Sequence, residues 1–94
     1  MTKYTVKFTS QFKKDVKRAE KQGKDIALMK ATIDSLASDE PLPDKFHDHA
    51  LTGNWDGFRE CHLTPDWLLV YIKEKDILVL TLSRTGSHAD IFGK

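Results

Sequence analysis

In "YTVKFT" the apolar Tyr4, Val6 and Phe8 alternate with Thr5, Lys7 and Thr9, the period of a strand with one buried face. The period then changes. Phe12, Val16 and Ala19 recur at i, i+4 and i+7, which predicts a helix capped by Ser10 and stopped by Gly23. Ile26, Met29, Ile33 and Leu36 share one face of a second helix starting near Asp25, with Met29 as core filler. Pro41 and Pro43 close this helical half, because each lacks a backbone donor and restricts the residue before it. "FHDHALTGNWDG" shows no period and reads as a loop. Beyond it three strands are predicted over about residues 58–63, 67–73 and 77–83, joined by Thr64-Pro65-Asp66 and by "KEKD". Short connections make these three antiparallel neighbours. The expected architecture is α+β, in the order β-α-α-β-β-β. It is a largely antiparallel four-stranded sheet with a helical hairpin on one face, forming a single domain over residues 1–94.

Composition narrows the picture without changing it. A chain of 94 residues has room for one core, and 39% hydrophobic with 31% charged residues excludes a disordered chain. No apolar run reaches signal-peptide or membrane-span length, so a cytoplasmic protein without membrane contact is expected. The single cysteine, Cys61, rules out an internal disulfide framework and reads as a small buried hydrophobe. Net charge is only +1, but residues 1–30 hold nine Lys/Arg against three Asp/Glu. That basic third suits a phosphate backbone or an acidic partner, and equally a solvated helix face.

Reactive side chains gather in the second half. His47, His49, His62 and His88 all lie outside the predicted helices, and His62, Asp66 and Trp67 flank one tight turn. Three kinds of chemistry fit. His47-x-His49, with His62, His88 or Asp66, offers metal ligands, although the spacing matches no strong zinc signature. Alternatively, a neutral imidazole takes a ribose 2′-hydroxyl proton, an acid protonates the leaving oxygen and a guanidinium holds the phosphate charge. Trp67, Tyr71 or Phe92 would then stack a splayed base. In the third reading these residues only pack.

"HALTGNWDGFRECHLTPDWLLVY", followed by "RTGSHADIF", resembles the YafQ branch of the RelE/ParE toxin superfamily, and the likeness extends to the opening "YTVKFTSQFKKDVKRAEKQGKD". The resemblance implies a microbial-ribonuclease-like fold and a toxin of a type II toxin–antitoxin pair that cleaves translated mRNA on the ribosome without metal or cofactor. Its implied partners are a cognate antitoxin, ribosome-bound mRNA and, through the antitoxin complex alone, operator DNA. The implied site is His49, His62, Asp66, Trp67, Arg84, His88 and Phe92. Within it Arg84 is placed on the scissile phosphate, His88 as acid, and His49 or His62 as base. Asp66 orients an imidazole or serves as base, and Trp67 and Phe92 act as base stackers or as walls of the site. His47, Asp48 and Glu60 have no assigned part. The alternative is a non-catalytic ParE-like toxin that acts by binding, for example to DNA gyrase.

Overall fold

The computed structural model describes residues 2–93. In chain order its elements are β1 (Thr5–Phe8), α1 (Ser10–Lys21), α2 (Ile26–Ala37), β2 (His49–Ala50), β3 (Arg59–Thr64), β4 (Trp67–Glu74), β5 (Val79–Gly86) and α3 (His88–Phe92). Short 3-10 turns at Asp44–Phe46 and Gly53–Trp55 flank β2. The sheet runs β1-β5-β4-β3-β2, with β1 parallel to β5 and every other pair antiparallel.

Local chemistry sets the helix ends. The Thr9 hydroxyl accepts from Phe12 N at 3.0 Å and caps α1, one residue ahead of the expected Ser10, which is the first helical residue. The same hydroxyl donates to the Ser83 carbonyl at 2.9 Å and ties the helix start to β5. Gly23, at φ +74°, takes the left-handed conformation that stops α1. Asp25 caps α2 by accepting from Leu28 N at 3.1 Å.

Two apolar layers hold the sheet. On one side Phe12, Ala19, Met29, Ile33 and Leu36 of α1 and α2 pack on Leu69, Tyr71, Leu80 and Leu82. On the other, Leu68 and Val70 lie under Ile91, bordered by Leu51, Trp55, Phe58 and Phe92. Central strand β4 feeds both layers by alternation, so it carries an unbroken apolar run, each fully buried large side chain contributing about 1.5–3 kcal/mol.

The α+β class holds, with differences in detail. The sheet has five strands because the segment read as loop contributes β2, a two-residue pairing of His49 with Glu60 and Ala50 with Arg59. α3 is additional: Ser87 accepts from Asp90 N, and the Asp90 carboxylate accepts from Ser87 N, both at 3.1 Å, a complete capping box. The last strand lies further along than expected. Ile77 and Leu78 are exposed in the turn before it, Leu78 at φ +54°, and the strand continues to Gly86, which brings Arg84 into the sheet. Tyr71 pairs with Leu82 and Val70 with Arg84, leaving Ser83 as an extra residue. This bulge re-aims the strand: Leu82 stays on the helix side, whereas Arg84 stands opposite Val70, which belongs to the other layer.

Candidate functional site

Strand alternation puts Cys61 and Leu63 of β3 toward the helices and leaves Glu60 and His62 for the opposite face. Cross-strand pairing extends that face. His49, Glu60, Val70 and Arg84 form one rung from β2 to β5, and His62, Leu68 and Gly86 form the next. α3 crosses over these rungs with Ile91 on Leu68 and Val70, so its first residue, His88, arrives beside His62.

Three histidines surround the fourth. The ring centroid of His62 lies 5.6 Å from that of His47, 6.0 Å from His88 and 6.4 Å from His49. Beneath them is Glu60, whose carboxylate is 4% exposed and stands 3.4 Å from His62 Nε2 and 3.6 Å from His49 Nε2. His49 Nδ1 meets the His47 carbonyl. A carbonyl only accepts, so Nδ1 carries the hydrogen and Nε2 is the nitrogen free to exchange a proton.

The loop bearing His47 and His49 is fastened by the residue between them. Asp48 accepts from the Tyr71 hydroxyl and sits 3.4 Å from Arg59 Nε. Tyr71 and Arg59 are paired on the helix side, so Asp48 is anchored there, between His47, which ends the 3-10 turn at φ +48°, and His49, the first residue of β2. Burial first, then the bond to Asp48, raises the Tyr71 phenol well above its ordinary range. The tyrosine is therefore a fixed neutral donor and not a proton carrier.

Aromatic rings close the α3 end. Phe92 lies 5.9 Å from His88 and 5.3 Å from Trp55, and Trp55 lies 5.1 Å from Phe58. Phe92 is half-buried and keeps part of its ring accessible. Trp67 does not. It is 1% exposed and packed in the helix-side core, so neither ring face is open to a base, and the stacking role expected for it is corrected to a packing role. Its Nε1 is buried without a hydrogen-bond partner among the described residues.

Asp66 and Arg84 are placed differently from the histidines. Asp66 is exposed at the β3–β4 turn, where it lines a polar cleft with Arg18, Gln22, Lys24, Ser87 and Asp90, and with the buried Asp15 and Trp67 at its wall. His47 and His62 line a separate cleft with Lys45, Phe46, Thr64 and Pro65, so the turn stands between the carboxylate and the imidazoles. Arg84 Nε donates to Asp15 of α1 at 2.7 Å, and Nη2 donates to the Asp90 carbonyl of α3 at 3.3 Å. Cys61 is fully buried, and burial pushes its thiol up to about 12, which leaves no thiolate for nucleophilic work. Among the described residues no three His, Cys, Asp or Glu side chains are grouped to hold a metal ion.

Glu60, Asp48, Asp15 and the place of His47 beside His62 are the parts that reasoning from sequence leaves out. Glu60 has a visible signal, since it stands two residues before His62 in a strand and must share its face. Asp48 has a weaker one, as the residue between two candidate histidines. For Asp15 the sequence offers none.

Comparison with known proteins adds a second line of argument. The family described as "Bacterial toxin of type II toxin-antitoxin system, YafQ" matches residues 4–93. The mRNA interferase toxin YafQ of Escherichia coli (strain K12) is 42% identical over 94 residues, covering 99% of this chain and all of that protein. The crystal structure of the E. coli DinJ-YafQ toxin–antitoxin complex superposes with a TM-score of 0.88 at 38% identity, covering 97% of this chain and 99% of that one. A metal-bound toxin from Helicobacter pylori superposes with a TM-score of 0.89 at 42% identity, covering 98% of this chain and all of that one.

Proposed function

This chain belongs to the YafQ family of bacterial type II toxin–antitoxin toxins, and from that premise we propose that it is an endoribonuclease that halts translation by cutting mRNA on the ribosome. The observation that carries the reading is the convergence of His47, His49 and His88 on His62, above Glu60 and beside Phe92. The name of this chain's E. coli relative, an mRNA interferase toxin, supports the substrate class, and a cluster of imidazoles is the side-chain chemistry that class needs.

His49 or His62 takes the proton from the ribose 2′-hydroxyl, which attacks the adjacent phosphorus. His88 protonates the departing 5′-oxygen. Both residues assigned as base have Nε2 beside Glu60, so one buried carboxylate stands where it pairs with the imidazolium that proton uptake creates on either ring. Arg84 contributes fixed positive charge for the non-bridging phosphate oxygens. Phe92, backed by Trp55, is the surface on which a base stacks. Asp66, expected to orient an imidazole or to serve as base, lines a different cleft from His47 and His62 and takes no part in these steps.

The partner reading follows from surface chemistry. Val6, Phe8, Phe12, Val16, Ile26, Met29 and Ile33 line an apolar groove between α1, α2 and β1, bordered by Lys13, Lys17 and Lys30 and by Glu20 and Asp34. A cognate antitoxin with an acidic amphipathic segment complements both the groove and its lysines. Among the described residues no helix is long and apolar enough to cross a membrane. The site of action is the cytoplasm, and operator DNA is reached only through the antitoxin complex.

The test uses programmed ribosomes and a message whose nucleotide just upstream of the cut carries a 2′-deoxy sugar. Cleavage of the ordinary message should leave a 2′,3′-cyclic phosphate and a 5′-hydroxyl, should persist after the toxin is stripped of metals, and should stop with the deoxy sugar. Cutting of the deoxy message, or 5′-phosphate products, would show that water is the nucleophile. If thymidine incorporation falls before amino-acid incorporation on induction, the protein is a gyrase-type binding toxin instead.

A further inference from the structure

We propose that Asp15, which lies on α1 away from the histidine cluster, is a positioning residue that fixes the guanidinium of Arg84 for phosphate contact. The proposal rests on the reading of Arg84 as the phosphate-binding group.

Asp15 is a carboxylate with no exposed side-chain surface, on a helix whose neighbouring positions are largely lysines. A charge so placed is costly unless its oxygens are satisfied, and here each oxygen has named donors. Oδ2 accepts from Arg84 Nε at 2.7 Å and from Thr85 N at 3.2 Å. Oδ1 accepts from Gln11 Nε2 at 3.1 Å, Arg18 Nη2 at 3.3 Å and Arg84 Nη2 at 3.4 Å. Burial pushes the carboxyl up, but the bonds from Arg84, Gln11 and Thr85 outweigh it and hold the group below its ordinary range.

The topology explains why α1 reaches this point. β1 pairs with β5 only as far as Leu82, so the last residues of β5 lose their strand neighbour. Thr9 and Asp15 supply what the strand would have supplied, one donating to the Ser83 carbonyl and the other accepting from Thr85 N. A neutral acceptor such as Asn would satisfy that edge N–H equally well. The negative charge, and the side-by-side grip on Nε and Nη2, exceed what the edge needs and match what an arginine fork needs.

The consequence for Arg84 is geometric. Its Nε is held by Asp15, and its Nη2 is shared between Asp15 and the Asp90 carbonyl of α3. Nη1 has no hydrogen-bond partner among the described residues, and the side chain is 20% exposed. A long, flexible cation is thereby reduced to one orientation with one corner of its plane left for a ligand, and the same guanidinium links α1 to the helix that begins with His88. Preorganising the donor before RNA arrives is where such a contact gains its effect on rate.

The experiment is a double-mutant cycle on single-turnover cleavage of ribosome-bound mRNA, with thermal unfolding measured for each protein. Asp15→Asn should slow cleavage by about ten- to a hundredfold with little change in the toxin concentration giving half-maximal rate. Arg84→Ala should slow it at least as much. The double variant should match Arg84→Ala within about twofold, because Asp15 has nothing left to orient. Glu20→Ala, which removes an exposed carboxylate of the same helix that bonds neither Asp15 nor Arg84, should cleave normally. If Asp15→Asn does not fold, Asp15→Glu, which keeps the charge and shifts it by a methylene, enters the same cycle. Losses that multiply in the double variant, or full activity of the Asp15 variant beside an impaired Arg84→Ala, would make Asp15 a purely structural residue. Normal cleavage by Arg84→Ala overturns the proposal at its premise, and absence of cleavage by the unaltered protein points to failure of the interferase reading instead.

Discussion

The two faces of the sheet are built from the same strands to opposite ends. Toward α1 and α2 the side chains are apolar and enclosed, while on the other face a thin layer of Leu68, Val70 and Ile91 lies beside half-exposed imidazoles and a buried carboxylate. β4 is apolar on both sides and β3 on only one, so the strand next to the centre, not the centre, carries Glu60 and His62. Scaffold and reactive groups can therefore vary separately wherever a strand separates them, and fail together wherever one residue serves both.

That separation can be tested in descending order of effect. His88→Ala, on the reactive face, should lower cleavage by at least about 10²-fold with a stability change within about 0.5 kcal/mol, read by single-turnover kinetics and calorimetry. A His88→Ala protein that unfolds early would return His88 to the scaffold. Leu80→Ala, on the helix side, should cost about 2–5 kcal/mol in denaturant unfolding with unchanged activity per folded molecule. Val70 belongs to the reactive face and stands between Glu60 and Arg84, so Val70→Ala should lose about 1–3 kcal/mol by cavity formation and should slow cleavage as well. Full activity there would show that the rung tolerates a gap beneath it.

Smaller effects sharpen the boundary. Trp67→Phe should leave cleavage within about twofold, since the ring is almost wholly enclosed in the helix-side core. Its lost volume is offset by removal of an unpaired buried N–H, a group that costs about 1–3 kcal/mol. A large loss of cleavage without loss of stability would restore the RNA contact. At the rim, Lys73 and Lys3 hold Asp39 down to about 2. Because its folded value lies below the ordinary carboxylate range of about 3.9, its contribution is complete above about pH 4 and is lost as pH falls through about 2. Asp39→Asn should flatten that acid limb, weakly and less so in high salt. Cleavage near neutral pH should not respond.

What the sequence discloses follows the range of the interaction that decides each element. β1, α1 and α2 are written in their periods, and the central strands in their apolar runs and turn residues. β2 is two residues long and has no period to read. α3 is too short for one, although Ser87 and Asp90 carry its capping box openly. The bulge at Ser83 leaves no trace in composition. In the site, His49, His62 and His88 come from a motif resemblance, whereas the place of His47 and the meeting of all four at His62 come from the fold. Trp67 is misread for a physical reason: where both sides of a strand are apolar, alternation does not reveal which side chain is sealed. Asp15 looks like any charged residue of a lysine-rich helix until Arg84, 69 positions later, arrives beside it.

Cys61 sits between Glu60 and His62 yet faces the helices, and its thiol is both sealed and held neutral. It therefore acts as a built-in clock for opening of the fold. A thiol-specific reagent reaches it only when β3 leaves the core, so the labelling rate under native conditions measures the opening equilibrium of the sheet and not the chemistry of the sulfur. The same rate, followed as RNA or a partner is added, reports how far each ligand suppresses that opening, without any probe introduced into the protein.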